Sequence, residues 1–192
     1  MGSHIEASSK NIIMIYTLII LLFFWLIIAT AYVIYMINSL FTDAPYVPVK
    51  KRFVKKIIET LKLNECSVLY DLGCGDGRIL LEAVKNNNIE AIGIEKNFIV
   101  YLWTKFLTRK TNVKIVCDDF ENISLKDATH IYLYLFPKIM DKLIIKINNE
   151  CKPGTRIVSC VFKFTSLVSD EIIDLPTTKD KLCQKLFVYI LK

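Results

Sequence analysis

Val68-Leu69-Tyr70-Asp71-Leu72-Gly73-Cys74-Gly75-Asp76-Gly77-Arg78 is an apolar run that ends in an acid and passes into three glycines at alternate positions. A helical pattern from Ile79 to Val84 comes next, so the order reads as strand, tight loop, helix. Glycine lets a backbone turn sharply and approach a ligand closely. The free N–H groups at the start of the following helix favour an electron-rich group there. The stretch is therefore expected to be a nucleotide-type cofactor loop, with Gly73, Cys74, Gly75, Asp76, Gly77 and Arg78 lining it and Cys74 acting as a small filler, not as a nucleophile.

Spacing and charge narrow the ligand. The dinucleotide fingerprint is G-x-G-x-x-G, in which a helix dipole meets a pyrophosphate. Here the pattern is D-x-G-x-G-x-G, and the Asp71 carboxylate would repel a pyrophosphate while suiting a ligand with an ammonium group, such as the methionine half of S-adenosylmethionine. A second strand, Glu90 to Glu95, ends in Glu95-Lys96, about the distance on at which an acid can hydrogen-bond both ribose hydroxyls. A third apolar run, Val113 to Cys117, ends in Asp118-Asp119, where a carboxylate can accept from an adenine amino group. Any one of these acids alone is commonly a helix cap or a solvated loop residue. Their joint order, each at the C-terminal end of a successive strand where open α/β sheets bind ligands, points to the cofactor.

At 192 residues the chain has room for one domain and an appendage. The appendage is an uncharged stretch from Asn11 to Phe41, almost wholly apolar from Ile12 to Ile37. A bilayer core about 30 Å thick needs roughly 20 such residues as a helix, and a signal-peptide core has only about 7–15. A single transmembrane anchor is expected over 11–41, after an N-terminal tail, 1–10, that opens with the tag-like Met1-Gly2-Ser3-His4 and before a catalytic domain, 42–192. Lys50, Lys51, Arg52, Lys55 and Lys56 follow the span closely, against only Lys10 and Glu6 before it, so the positive-inside rule puts the catalytic part in the cytoplasmic-type compartment. The net charge of +6 includes this juxtamembrane patch, which suits anionic lipid. It lacks interleaved base-stacking aromatics apart from Phe53, so no nucleic-acid partner is expected. The six cysteines form no C-x-x-C pair and several lie in apolar runs, which argues for free thiols in a reducing compartment and against a metal cage.

Thr42-Asp43-Ala44-Pro45-Tyr46-Val47-Pro48 breaks the anchor helix, and a basic amphipathic helix is expected from about Val49 to Leu61. Strands at 68–72, 90–95, 113–117, 129–135 and 155–162 then alternate with helices at 78–87, 97–109 and 137–149. Alternation of this kind means a mainly parallel sheet covered on both faces. Ile172–Leu175 and Leu186–Leu191 are strand-like with little helical sequence between them, and are expected to pair as an antiparallel hairpin. A parallel core closed by a terminal antiparallel strand is the seven-strand plan of Rossmann-like methyltransferases.

Pro45-Tyr46-Val47-Pro48, the Tyr70–Ile79 loop, Leu133-Tyr134-Leu135-Phe136-Pro137 and Lys152–Ser159 resemble the successive motifs of the class I protein-lysine methyltransferases, which include archaeal enzymes and membrane-anchored mitochondrial ones. The resemblance implies that Asp71, Gly73, Gly75 and Gly77 cradle the methionine and ribose of S-adenosylmethionine, with Glu95 on the ribose and Asp118 on the adenine. It implies further that Tyr46, Val47 and Pro48 close over the site beside the substrate, and that Tyr134, Leu135, Phe136 and Pro137 form the methyl-transfer face. Where archaeal relatives continue Val-Ser with His-Asp-Phe, this chain has Ser159-Cys160-Val161-Phe162, a departure that bears on substrate choice more than on chemistry.

Methyl transfer from a sulfonium is an in-line displacement, for which a protein must chiefly align donor and acceptor and exclude water. A lysine amine must lose its proton to attack, and an apolar pocket disfavours the ammonium form. Tyr46, Tyr134 and Phe136 are candidates to wall such a pocket, and no general base stands out. The expected partners are the lipid bilayer and a membrane-associated protein carrying the target lysine. Two other readings share the anchor: methylation of a lipid headgroup or other membrane-bound small molecule, and a cofactor-binding membrane scaffold without transfer activity. Intact acids at all three strand ends favour an enzyme.

Overall fold

A computed structural model describes residues 2–41, 48–86, 88–175 and 185–192, with side chains in the first helix described from Ile12 to Met36. Tyr46 and Val47 of the expected gate lie outside the described residues. The chain divides into two units, Met1–Thr42 and Asp43–Lys192.

The first unit is one helix, α1 (Gly2–Phe41), which begins ahead of the expected boundary at residue 11. Its stretch from Ile12 to Met36 is 25 residues long, with a mean hydropathy of 3.0 and no burial. At ~1.5 Å per residue that length exceeds the ~30 Å of a bilayer core. Thr17 and Thr30 return their hydroxyls to the carbonyls of Ile13 and Leu26 at 2.9 Å, so these polar groups are satisfied within the helix.

The second unit carries the sheet. Helix α2 (Lys51–Leu61) turns Phe53, Val54, Ile57 and Leu61 inward at helical spacing and ends on Lys62 in the left-handed region, with φ 54°. The elements that follow are β1 (Val68–Leu72), α3 (Arg78–Asn86), β2 (Glu90–Ile94), α4 (Phe98–Thr108), β3 (Lys114–Val116), β4 (His130–Leu133), α5 (Pro137–Glu150), β5 (Arg156–Cys160), β6 (Glu171–Asp174) and β7 (Lys185–Ile190). The sheet has seven strands in the order β3-β2-β1-β4-β5-β7-β6. Pairing is parallel from β3 through β5, and β7 runs antiparallel to both β5 and β6. The expected hairpin therefore forms, with the last strand inserted between β5 and β6.

Strand alternation assigns the two faces. Leu69 and Tyr132 pack with α2 and α3, while Tyr70, Leu72, Ile131 and Leu133 pack with Met140, Leu143, Ile144 and Ile147 of α5. Several elements are shorter than expected for local reasons. Asn97 caps α4, accepting from the N–H groups of Ile99 and Val100, so the helix starts one residue later than its apolar pattern. Val161 adopts φ 71°, which ends β5 at Cys160. A 3-10 turn at Phe120–Asn122, not expected from the sequence, follows Asp119. Cys66, Cys74, Cys117 and Cys151 are free. Cys160 is disulfide-bonded, which corrects the expectation of wholly free thiols and removes the support it lent to a reducing compartment.

Leu133 is fully buried at the centre of the sheet, on the α5 side. Leu133→Ala is expected to destabilise the domain by about 2–5 kcal/mol, read as a lower denaturant midpoint in circular dichroism.

Candidate functional site

The C-terminal ends of β1, β2 and β4 converge on the glycine loop. Gly73, Gly75 and Gly77 have φ values of 79°, 55° and 73°, the left-handed region that a side chain disfavours. Space forbids side chains as well: a Cβ on Gly73 would lie 3.1 Å from Leu135 Cδ2, and one on Gly77 2.9 Å from the Thr104 methyl. The N–H groups of Gly73 and Cys74 both donate to the Ile94 carbonyl, at 2.9 and 3.0 Å, fixing the loop to the end of β2.

Three further tethers come from separate elements. Glu95 accepts from the Gly75 N–H at 3.1 Å and from the Asn97 N–H at 2.9 Å. Thr104, buried in α4, donates its hydroxyl to the Gly75 carbonyl. Arg78 grips Asp76 through Nε at 2.8 Å and Nη2 at 2.5 Å, and its Nη1 donates to the Val49 carbonyl. The backbone just after Pro48 is thus tied to the cofactor loop.

Asp71 sits at the mouth of this loop, buried at 2% exposure. Burial raises its pKa well above the usual carboxylate value, and the nearby charges of Glu95 and Asp76 add to the effect. Burial also raises Glu95, opposed by the N–H groups of Asn97, Gly75 and Lys96. Beside Asp71 in the sheet register is Tyr132, whose buried hydroxyl has no hydrogen-bond partner among the described residues. A cationic ligand with polar groups answers both deficits: its charge offsets the crowded carboxylates and its donors or acceptors satisfy the orphaned phenol. The residues present fit S-adenosylmethionine, whose methionine ammonium and ribose carry those groups. Cys74 is buried and its thiol is pushed strongly up by burial, so it is held neutral, as a filler should be.

The other expected residues lie around this centre to differing degrees. Asp118 folds one oxygen onto the Asp119 N–H at 2.7 Å and the Asn122 amide at 2.8 Å, while Asp119 pairs with Lys96 at 2.9 Å. Tyr134 is half-buried on the α2–α3 side, and burial raises its pKa. Leu135 is buried on the opposite side against the loop. Phe136 stands exposed at the N-cap of α5, Pro137 opens that helix, and Pro48 is exposed.

Sequence reasoning did not single out Thr104, Tyr132 or the turn after β5. That turn is a γ-turn: Phe162 N–H bonds the Cys160 carbonyl at 2.9 Å across Val161. Such turns are rare and strained, above all at a β-branched residue. Ser159 donates to the Phe162 carbonyl at 2.6 Å, and the Phe162 ring meets Phe136 with centroids 5.4 Å apart. A pair of threonines, Thr104 and Thr108, in an otherwise apolar helix was the one sequence signal for the buried face of α4.

A sheet in the order 3-2-1-4-5-7-6, with a tethered glycine loop and acids at its strand ends, defines a class I methyltransferase that uses S-adenosylmethionine. Residues 71–171 match the family model described as the ANTKMT methyltransferase domain, and the chain belongs to that family. A protein-lysine N-methyltransferase of Saccharolobus islandicus (strain REY15A) is 34% identical over 134 residues, covering 67% of this chain and 83% of that protein. The adenine nucleotide translocase lysine N-methyltransferase of Mus musculus is 32% identical over 121 residues, or 61% of this chain. An ATP synthase lysine N-methyltransferase of Xenopus laevis is 27% identical over 132 residues, or 67% of this chain. The chain spans only 52% of the mouse protein and 58% of the frog protein. Among solved structures, an RNA methyltransferase from Salinibacter ruber in complex with S-adenosyl-L-homocysteine superposes with a TM-score of 0.69 and 27% identity, over 76% of this chain and 94% of that one.

With the pKa of Asp71 raised, the native state binds more protons than the unfolded chain above the ordinary carboxylate range, so this group's effect on stability worsens as pH rises through its folded value. Asp71→Asn is expected to raise the thermal midpoint at pH 7 relative to the parent chain, with no gain below the ordinary carboxylate range. It should weaken S-adenosylmethionine binding about 10- to 100-fold in calorimetry, as for loss of one charged hydrogen bond. An unchanged midpoint and affinity would place the methionine site elsewhere.

Proposed function

We propose that the chain is a membrane-anchored protein-lysine N-methyltransferase, with α1 as the anchor over 11–41 and residues 42–192 as the catalytic domain. The observation that carries the acceptor class is the 34% identity to a protein-lysine N-methyltransferase over 83% of that protein's length. The anchor rests on the 25-residue apolar stretch Ile12–Met36. Lys50, Lys51, Arg52, Lys55 and Lys56 support a cytoplasmic-type placement of the catalytic part by the positive-inside rule.

On this reading Asp71, the Gly73–Arg78 loop, Glu95, Lys96, Asp118 and Asp119 hold the cofactor. When bound, S-adenosylmethionine supplies an electrophilic methyl group on sulfur. Leu135 packs against Gly73 and keeps water from one side of the reacting centre, while the Phe136 and Phe162 rings offer an apolar wall for the aliphatic stem of a lysine. The departing ammonium proton goes to solvent, since low polarity alone favours the neutral amine. Tyr46, Val47 and Pro48 complete the substrate side, and the link from Arg78 to the Val49 carbonyl ties their position to the loop.

An RNA acceptor is the second reading, favoured by the Salinibacter ruber structure. Against it, the amino methyltransferases of nucleic acids commonly carry N/D-P-P-Y at the fourth strand end, where this chain has Leu135-Phe136-Pro137. The full chain, incubated with labelled S-adenosylmethionine, native membranes and total RNA, is expected to label protein, with methyl-lysine recovered after acid hydrolysis. Label confined to lipid or to RNA would overturn the lysine reading. Phe136→Ala is expected to lower kcat about 10- to 100-fold through loss of alignment, with cofactor affinity unchanged.

A further inference from the structure

Helix α4 wears its polarity the wrong way round. Its buried residues are Thr104 and Thr108, while Phe98, Ile99, Leu102, Trp103 and Phe106 are exposed, Trp103 at 56%. At ~100° per residue those five side chains fall within an arc of about 140° on one helix face. Soluble domains rarely expose a contiguous apolar face of this kind unless something covers it. Lys105 and Arg109 edge the same arc, and they lie over aromatic rings: Lys105 is 5.3 Å from the Tyr101 centroid and Arg109 3.9 Å from that of Phe106. From Lys96 to Lys114 the chain has five basic residues and no acid.

We propose that this α4 face seats in the headgroup region of an anionic bilayer. Aromatic and aliphatic side chains enter the upper acyl layer, and Lys105, Arg109 and Lys110 reach lipid phosphates, the composition of interfacial helices. The one-sided charge selects lipid as occupant: a second copy of the chain would bring like charge against like at this patch. Because Thr104 donates to the Gly75 carbonyl, the seated helix holds the cofactor loop within about one helix diameter of the surface. The proposal rests on the membrane reading above only in that α1 brings the chain to a bilayer.

The two tryptophans, Trp25 in α1 and Trp103 in α4, allow the readings to be separated. The full chain is reconstituted in phosphatidylcholine–phosphatidylglycerol vesicles with bromine on the upper acyl chain. In a Trp25→Phe background, Trp103 emission is expected to fall to about half its value in unbrominated vesicles, as for a ring some 5–10 Å into the headgroup boundary. Adding Lys105→Glu and Arg109→Glu is expected to reduce the seated population about fivefold per charge. Trp103 emission indifferent to bromine overturns the proposal. So does emission shielded from aqueous acrylamide without bromine quenching, because protein then covers the face. In a Trp103→Phe background, bromine quenching of Trp25 reports the anchor alone, so an unquenched Trp25 sinks the anchor reading without deciding α4.

Discussion

A carboxylate buried without neutralisation at the end of β1 sets the terms for the rest of the site. Asp71 is 2% exposed, and the nearest charges acting on it, Glu95 and Asp76, are also negative. Hydrophobic packing around it would be more stable with an apolar residue in its place. A domain keeps such a group where a cation is to be received, and the sulfonium donor with its ammonium is a ligand of that kind. The folded chain holds the arrangement because the sheet on both sides of β1 is closely packed, with Leu69, Leu72, Ile131 and Leu133 fully buried.

That strain would pull the loop open were it not fastened from several directions. Glu95 and the Ile94 carbonyl fasten it from β2, Thr104 from α4, and Arg78 reaches from the loop to Val49 ahead of α2. Each tether uses a backbone group of the loop or a side chain that follows it directly, leaving the ligand side of the glycines clear. The positive φ of all three glycines makes this possible, since a side chain at Gly77 would meet Thr104. Cofactor geometry is therefore a property of four elements together, and changes in α4 or near Val49 reach the loop through single hydrogen bonds.

Much of this was legible in the sequence because it follows short-range rules. The alternation of apolar strands with helical segments gave the sheet, and the glycine spacing with Asp71 gave the loop, because both depend on neighbours within a few residues. Antiparallel pairing of the last two strands was legible for the same reason, whereas the insertion of β7 between β5 and β6 was not, since it is decided by which edge of the sheet is still open. Thr104 and Tyr132 could not be read because their roles depend on elements 29 and 61 residues away, Gly75 and Asp71. The Val161 turn was invisible because nothing in a valine announces a positive φ.

The rim of the site differs from its centre in what it can discriminate. Around the cofactor, charges and hydrogen bonds fix one ligand closely. At the acceptor side the described surface is aromatic and aliphatic, Phe136 against Phe162, with the Ser159 hydroxyl turned inward to the Phe162 carbonyl. An apolar wall distinguishes acceptors only weakly, by about 1–3 kcal/mol per methylene-sized difference. On the proposed reading, selectivity must then come from where the enzyme is held, because confinement raises the effective concentration of acceptors in the same membrane without any added contact at the site. The apolar α1 and the inverted polarity of α4 are the two features of the chain that supply such confinement. A chemically permissive acceptor face is tolerable in a methyltransferase that meets few acceptors, and less so in one that diffuses freely.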